Sequence, residues 1–169
     1  MLQAVCVYCS SRDVVDPALF TVAQAMGRAI AKRGGTLVYG GGSVGLMGEV
    51  ARAVHAGGGK VVGVIPESMV QHEVAYHDAD ELIVTETMRQ RKQVMEDRSD
   101  AFVTLPGGFG TLEELFEILT HRHLGYHNKP VVVLNSDGFY NPLIELFDHL
   151  YAHRFARDST RGTYHIVDD

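Results

Sequence analysis

The segment Pro106-Gly107-Gly108-Phe109-Gly110-Thr111-Leu112-Glu113-Glu114 follows the apolar run Ala101–Leu105. It reads as a strand end, a glycine turn and the start of a helix. Glycines let backbone N–H groups approach a ligand closely, and a helix N-terminus favours an anion. Glu113 and Glu114 place carboxylates one turn from that anion site. A loop that only binds phosphate needs no acids there, so the pattern points to chemistry beside a phosphate.

A second glycine run, Gly40 to Gly48, also joins a strand to a helix. Its spacing Gly42-x-x-Gly45-x-x-Gly48 fits neither the dinucleotide fingerprint nor a Walker A loop. Gly41, Gly42, Ser43 and Gly45 are therefore read as a second phosphate cradle, against the alternative of a plain tight turn. Met88, Arg91, Lys92 and Met95 fall at i, i+3, i+4 and i+7 of one helix. Methionines on that face predict inward packing, so its two cations need an anionic partner. Arg98 reads instead as a helix-end charge complementing the dipole. Cys6 and Cys9 form C-x-x-C inside a strand, where positions three apart face opposite ways, so they read as buried structural thiols. His121, His123 and His127 lack zinc-ligand spacing and read as surface histidines, with no metal expected.

These residues need elements to hold them. Val5–Cys9, Thr36–Tyr39, Lys60–Ile65, Glu81–Thr85, Ala101–Leu105 and Pro130–Asn135 read as strands. Helical periodicity fills 17–33, 45–56, 86–98, the stretch from about Thr111, and 141–153, with Asp16-Pro17 and Asn141-Pro142 opening two of these. The alternation predicts an α/β fold: a Rossmann-like, doubly wound, mainly parallel sheet with helices on both faces. Ligands in such sheets bind beyond the carboxyl ends of the strands, which puts both glycine loops on one rim. Residues 1–169 are expected to form a single nucleotide-binding domain, with an unassigned polar tail from about 156.

The chain is 46% apolar and 21% charged, ordinary for a globular protein, and its net charge of −6 disfavours a nucleic-acid-binding surface. No apolar run reaches the roughly 20 residues of a membrane span. The start lacks the basic region of a signal peptide, so a cytoplasmic protein is expected.

Taken together, Pro106–Glu114, Arg91-Lys92, Gly40–Gly48 and Gly125-Tyr126-His127-Asn128-Lys129-Pro130 resemble the "lonely guy" family. These are the cytokinin riboside 5′-monophosphate phosphoribohydrolases, long mislabelled as lysine decarboxylases. The resemblance spans about Val5 to Ile144. It implies cleavage of the N-glycosidic bond of a purine nucleoside 5′-monophosphate, with no cofactor and with a homodimer as the working unit. It also implies Arg91 and Glu114 as catalytic residues. Nucleotide contacts then fall on Glu73, Lys92, Gly108, Phe109, Gly110, Thr111, Leu112, Glu113, Glu114 and Thr120. Where the family has Cys-Gly-Ser-Ser after the first strand, this chain has Cys9-Ser10-Ser11-Arg12. A non-catalytic AMP-binding or sensing module on the same scaffold is the alternative expectation.

Overall fold

A computed structural model describes residues 3–70 and 75–168. Seven parallel strands form one sheet in the order β4-β3-β2-β1-β5-β6-β7. The strands are β1 (Ala4–Tyr8), β2 (Thr36–Tyr39), β3 (Lys60–Pro66), β4 (Glu81–Thr85), β5 (Ala101–Thr104), β6 (Val131–Leu134) and β7 (His165–Val167). The helices are α1 (Pro17–Lys32), α2 (Gly45–Ala56), α3 (Met88–Asp97), α4 (Phe109–His123) and α5 (Asn141–Ala152).

The two faces of the sheet carry separate apolar layers. Leu46, Val50 and Val54 of α2 and Ala23 and Ile30 of α1 pack with Leu37 and Val61. Met95 of α3, Leu115 and Ile118 of α4, and Leu143 and Phe147 of α5 pack with Phe102 and Val131 on the other side. Cys6 belongs to one layer and Cys9 to the other, as alternation along a strand requires, and both are free and buried.

Local chemistry sets the helix starts. Asp16 accepts from Ala18 N–H at 2.9 Å ahead of Pro17. At α3, Thr87 Oγ1 accepts from Gln90 N–H at 3.1 Å while the Gln90 side chain accepts from Glu86 N–H at 2.9 Å. This reciprocal clasp starts α3 at Met88, two residues later than the periodicity predicted. Helix α4 differs. Its N-cap is Gly108, with no side-chain cap, so it starts at Phe109 with its terminal N–H groups left for another acceptor.

The tail is not structureless. Asp158–Thr163 forms 3₁₀ turns, and β7 pairs with β6 through Val132–His165, Val133–Ile166 and Leu134–Val167. Among the described residues no helix is long and apolar enough to cross a membrane.

Candidate active site

The chain leaves β1 toward β2 on one side and later returns to β5 on the other. The carboxyl ends of β1 and β5 are therefore the switch point of the sheet, where a crevice opens. A cavity of about 340 Å³ lies there. Its walls come from the β1 end (Tyr8, Cys9, Ser10, Ser11, Arg12), from Gly40 and Met47, from Arg91 and Met95 of α3, and from Gly108, Phe109, Gly110, Thr111 and Glu114 of α4.

The β1 loop is clamped between the glycine runs. Ser10 N–H donates to Pro106 O at 3.3 Å, and Ser10 O accepts from Met47 N–H at 3.2 Å. The first intrahelical bond of α4 is Leu112 N–H to Gly108 O, at 3.0 Å. The earlier N–H groups, at Phe109 to Thr111, lie at the helix end that borders the cavity. Dipole and orphan donors together make that end an anion site.

Arg91 is 5% exposed and held from three directions. Nε donates to Val64 O at 3.0 Å, Nη2 to Gly40 O at 2.9 Å, and Nη1 approaches Met88 Sδ at 3.3 Å. The guanidinium is thus a fixed cation in the cavity wall. Burial pushes the Cys6 and Cys9 thiols above their usual range, and the Glu114 carboxylate adds to that push. Cys9 therefore stays a protonated wall residue rather than a nucleophile.

Of the residues the sequence singles out, Arg91, Gly108, Phe109, Gly110, Thr111 and Glu114 line this cavity. Others do not. Gly41, Gly42, Ser43 and Gly45 are not among the residues lining this cavity. Gly42 O accepts from Tyr39 Oη at 3.0 Å, Gly41 O from Tyr76 N–H at 2.9 Å, and Ser43 O from Arg52 Nη1 at 3.0 Å. Gly45 (φ 61°) packs on the β1 loop so closely that a Cβ would stand 2.5 Å from the Ser11 carbonyl carbon. The loop builds the wall; only Gly40 and Met47 border the cavity.

Lys92 and Glu113 lie outside the cavity, ion-paired with each other, and Lys92 Nζ also donates to Glu117 Oε1 at 3.0 Å. Leu112 packs against the core layer beneath α4. Thr120 lies in a separate apolar groove with Phe116, Leu119, Leu150 and Phe155. Glu73 lies outside the described residues. His127 is not a surface histidine: it is buried between Ile118 O (3.1 Å from Nε2) and Lys129 N–H (3.1 Å from Nδ1). Among the described residues no cluster of three metal-ligating side chains occurs.

The Ser10–Arg12 loop, where this chain departs from the family's Cys-Gly-Ser-Ser, lines the cavity. It carries no glycine signature in the sequence and reaches the cavity because β1 lies beside β5.

A family model described as possible lysine decarboxylase matches residues 47–169. The cytokinin riboside 5′-monophosphate phosphoribohydrolase of Mycobacterium marinum is 53% identical over 158 residues, covering 91% of this chain and 84% of that protein. The protein of the same name from Mycobacterium tuberculosis is 55% identical over 139 residues, covering 82% and 74%. Among solved structures, the molybdenum cofactor carrier protein of Chlamydomonas reinhardtii superposes with a TM-score of 0.76 at 25% identity, covering 100% of this chain and 91% of that one. Despite the family model's description, among the described residues no lysine lines the cavity, and Lys92 is engaged elsewhere. The chain belongs to the family of cytokinin riboside 5′-monophosphate phosphoribohydrolases, the one its Pro106–Glu114 signature resembles.

Proposed function

We propose that this chain hydrolyses the N-glycosidic bond of a purine nucleoside 5′-monophosphate, adenosine or cytokinin riboside, releasing the free base and ribose 5-phosphate. The observation that carries this reading is one cavity shared by a carboxylate, a fixed guanidinium and the open end of a helix.

The 5′-phosphate sits at the N-terminus of α4, against the N–H groups of Phe109, Gly110 and Thr111. That remote binding energy holds the sugar in place for reaction. Cleaving the bond gives the sugar oxocarbenium character, which the Glu114 carboxylate stabilises while it activates the attacking water. Water adds to the anomeric carbon as the bond to the base nitrogen breaks, and the base leaves with a proton. Arg91 contributes a positive charge that cannot follow the departing base, because Val64 O and Gly40 O hold it. It orients the sugar phosphate instead.

The working unit in this reading is a homodimer in the cytoplasm. What supports the dimer is the apolar groove around Phe116 and Phe155, which a second copy would cover. Thr120, expected to contact the nucleotide, lies in that groove and not in this chain's own cavity.

The test is incubation with AMP and, separately, with adenosine, following adenine and ribose 5-phosphate by chromatography. Base release from AMP at far higher efficiency than from adenosine supports the reading. Equal efficiency removes the phosphate anchor from it.

A further inference from the structure

The loop after β1 departs from the family pattern, and the departure adds a charge to the cavity. Position 12 is Arg where the family has Ser. Arg12 lines the cavity and is exposed. Among the described residues its guanidinium has no hydrogen-bond or ion-pair partner, although Asp13 is next in sequence. Its backbone, by contrast, is tied down on two sides. Ser10 Oγ accepts from Arg12 N–H at 3.0 Å, and Met47 N–H donates to Ser10 O at 3.2 Å. Gly45 packs on the same peptide, where a Cβ would stand 2.7 Å from Arg12 N. Toward α4, Ser10 N–H donates to Pro106 O at 3.3 Å, two residues before the Gly108 N-cap. The stem of Arg12 is therefore fixed next to the open start of α4, and its charged head is unclaimed.

We propose that Arg12 is a substrate-binding residue peculiar to this chain, whose guanidinium closes on the 5′-phosphate from the β1 side. The proposal rests on the hydrolase reading above and names a residue that sets its preference for a doubly charged phosphate. A phosphate monoester carries a charge of about −1.5 to −2 near neutral pH. A helix N-terminus answers with only about half a positive charge. Glu114 adds a carboxylate to the same cavity, and Arg91 already donates to two carbonyls in its wall. The dianion thus leaves room for one more cation, and Arg12 lines the cavity with its charge unpaired. A guanidinium fork meets two phosphate oxygens at once, which the family's serine cannot do. Substrate and product carry the same phosphate, so this contact is made equally before and after the bond breaks. Its loss is read in KM and in product affinity, and not in kcat.

The experiment compares wild type with Arg12→Gln and Arg12→Lys in AMP hydrolysis, and in calorimetric binding of ribose 5-phosphate and of adenosine. Arg12→Gln should raise KM for AMP about tenfold with kcat within about twofold of wild type. It should weaken ribose 5-phosphate binding by a similar factor and leave adenosine, which has no phosphate, unaffected. Arg12→Lys keeps the charge without the fork and should fall between the two. The proposal is overturned if KM and ribose 5-phosphate affinity are unchanged, or if kcat falls while KM is kept. Equal weakening of adenosine, or a lysine variant as poor as the glutamine one, overturns it equally. Ribose 5-phosphate binding needs no turnover, so it decides the role of Arg12 even if wild type releases no base from AMP, the result that would sink the hydrolase reading.

Discussion

The Arg91 guanidinium occupies the space that a side chain at position 40 would fill. Its Nη2 donates to the Gly40 carbonyl at 2.9 Å, and a Cβ added to Gly40 would overlap that same nitrogen and stand 2.5 Å from Met47 Cε. Gly40 is required here for space, its φ lying outside the left-handed region. Gly40→Ala is expected to push Arg91 out of its seat and lower AMP turnover by about a hundredfold, as small displacements in a preorganised site do. It should also cost about 1–3 kcal/mol through overpacking. Gly162→Ala, where a Cβ meets nothing within 4 Å, should stay within about 0.5 kcal/mol of wild type. Paired kinetics and thermal melts check this, and an active Gly40→Ala enzyme would show that Arg91 does not need its present seat.

Arg91 and Arg98 should separate cleanly. Arg98 is exposed at the end of α3 and makes a two-pronged pair with Glu81 at 3.1 and 2.6 Å. Its removal should cost about 0–1 kcal/mol and leave base release intact. Arg91→Ala should abolish base release and also destabilise the fold by about 1–3 kcal/mol, since the Val64 and Gly40 carbonyls lose a buried donor. Reading Arg91 from sequence alone predicts activity loss with little cost in stability; its burial changes the second half of that expectation. Loss of activity in Arg98→Ala would place the working arginine at the other end of the helix.

His127 gives the fold a pH dependence of known sign. Nε2–H donates to Ile118 O and Nδ1 accepts from Lys129 N–H, so the neutral ring is fully used. Burial lowers its pKa from the ordinary 6.5, with Lys129 and Arg122 adding to that. The unfolded chain therefore takes up this proton first as pH falls. The contribution is complete above about pH 6.5 and shrinks as pH drops from there through the lowered native value. Thermal melts from pH 8 to 5 should show wild type losing stability faster than His127→Gln below pH 6.5. Parallel curves would contradict this.

The six longer strands and the five helices were legible because they carry short apolar runs or helical periodicity, many of them bounded by glycine, proline or a capping residue. Strand β7 was not: it is three residues long, lies at the sheet edge and is only partly buried, so it leaves no alternation to read. That Arg91 and Glu114 come to one cavity was legible from the family resemblance, but their surroundings were not. Placing Lys92 beside Arg91 on one face ignored the 100° between neighbours, which the structure resolves by sending Lys92 to Glu113 and Glu117. Reading Gly41–Gly45 as a phosphate cradle took glycine as a sign of ligand approach. The missing side chains at two of these positions also admit protein backbone: Val64 behind Gly41, and the Ser11–Arg12 peptide behind Gly45.

The most direct test of the account is Glu114→Gln beside wild type, with turnover of AMP and of isopentenyladenosine 5′-monophosphate measured together with equilibrium binding of AMP. The substitution keeps the shape of the side chain and removes its charge. If Glu114 acts on the transition state, base release from both substrates should fall by about two orders of magnitude or more while AMP still binds within a few-fold of wild type. Near-normal turnover in Glu114→Gln would take the carboxylate out of the chemistry and contradict the account.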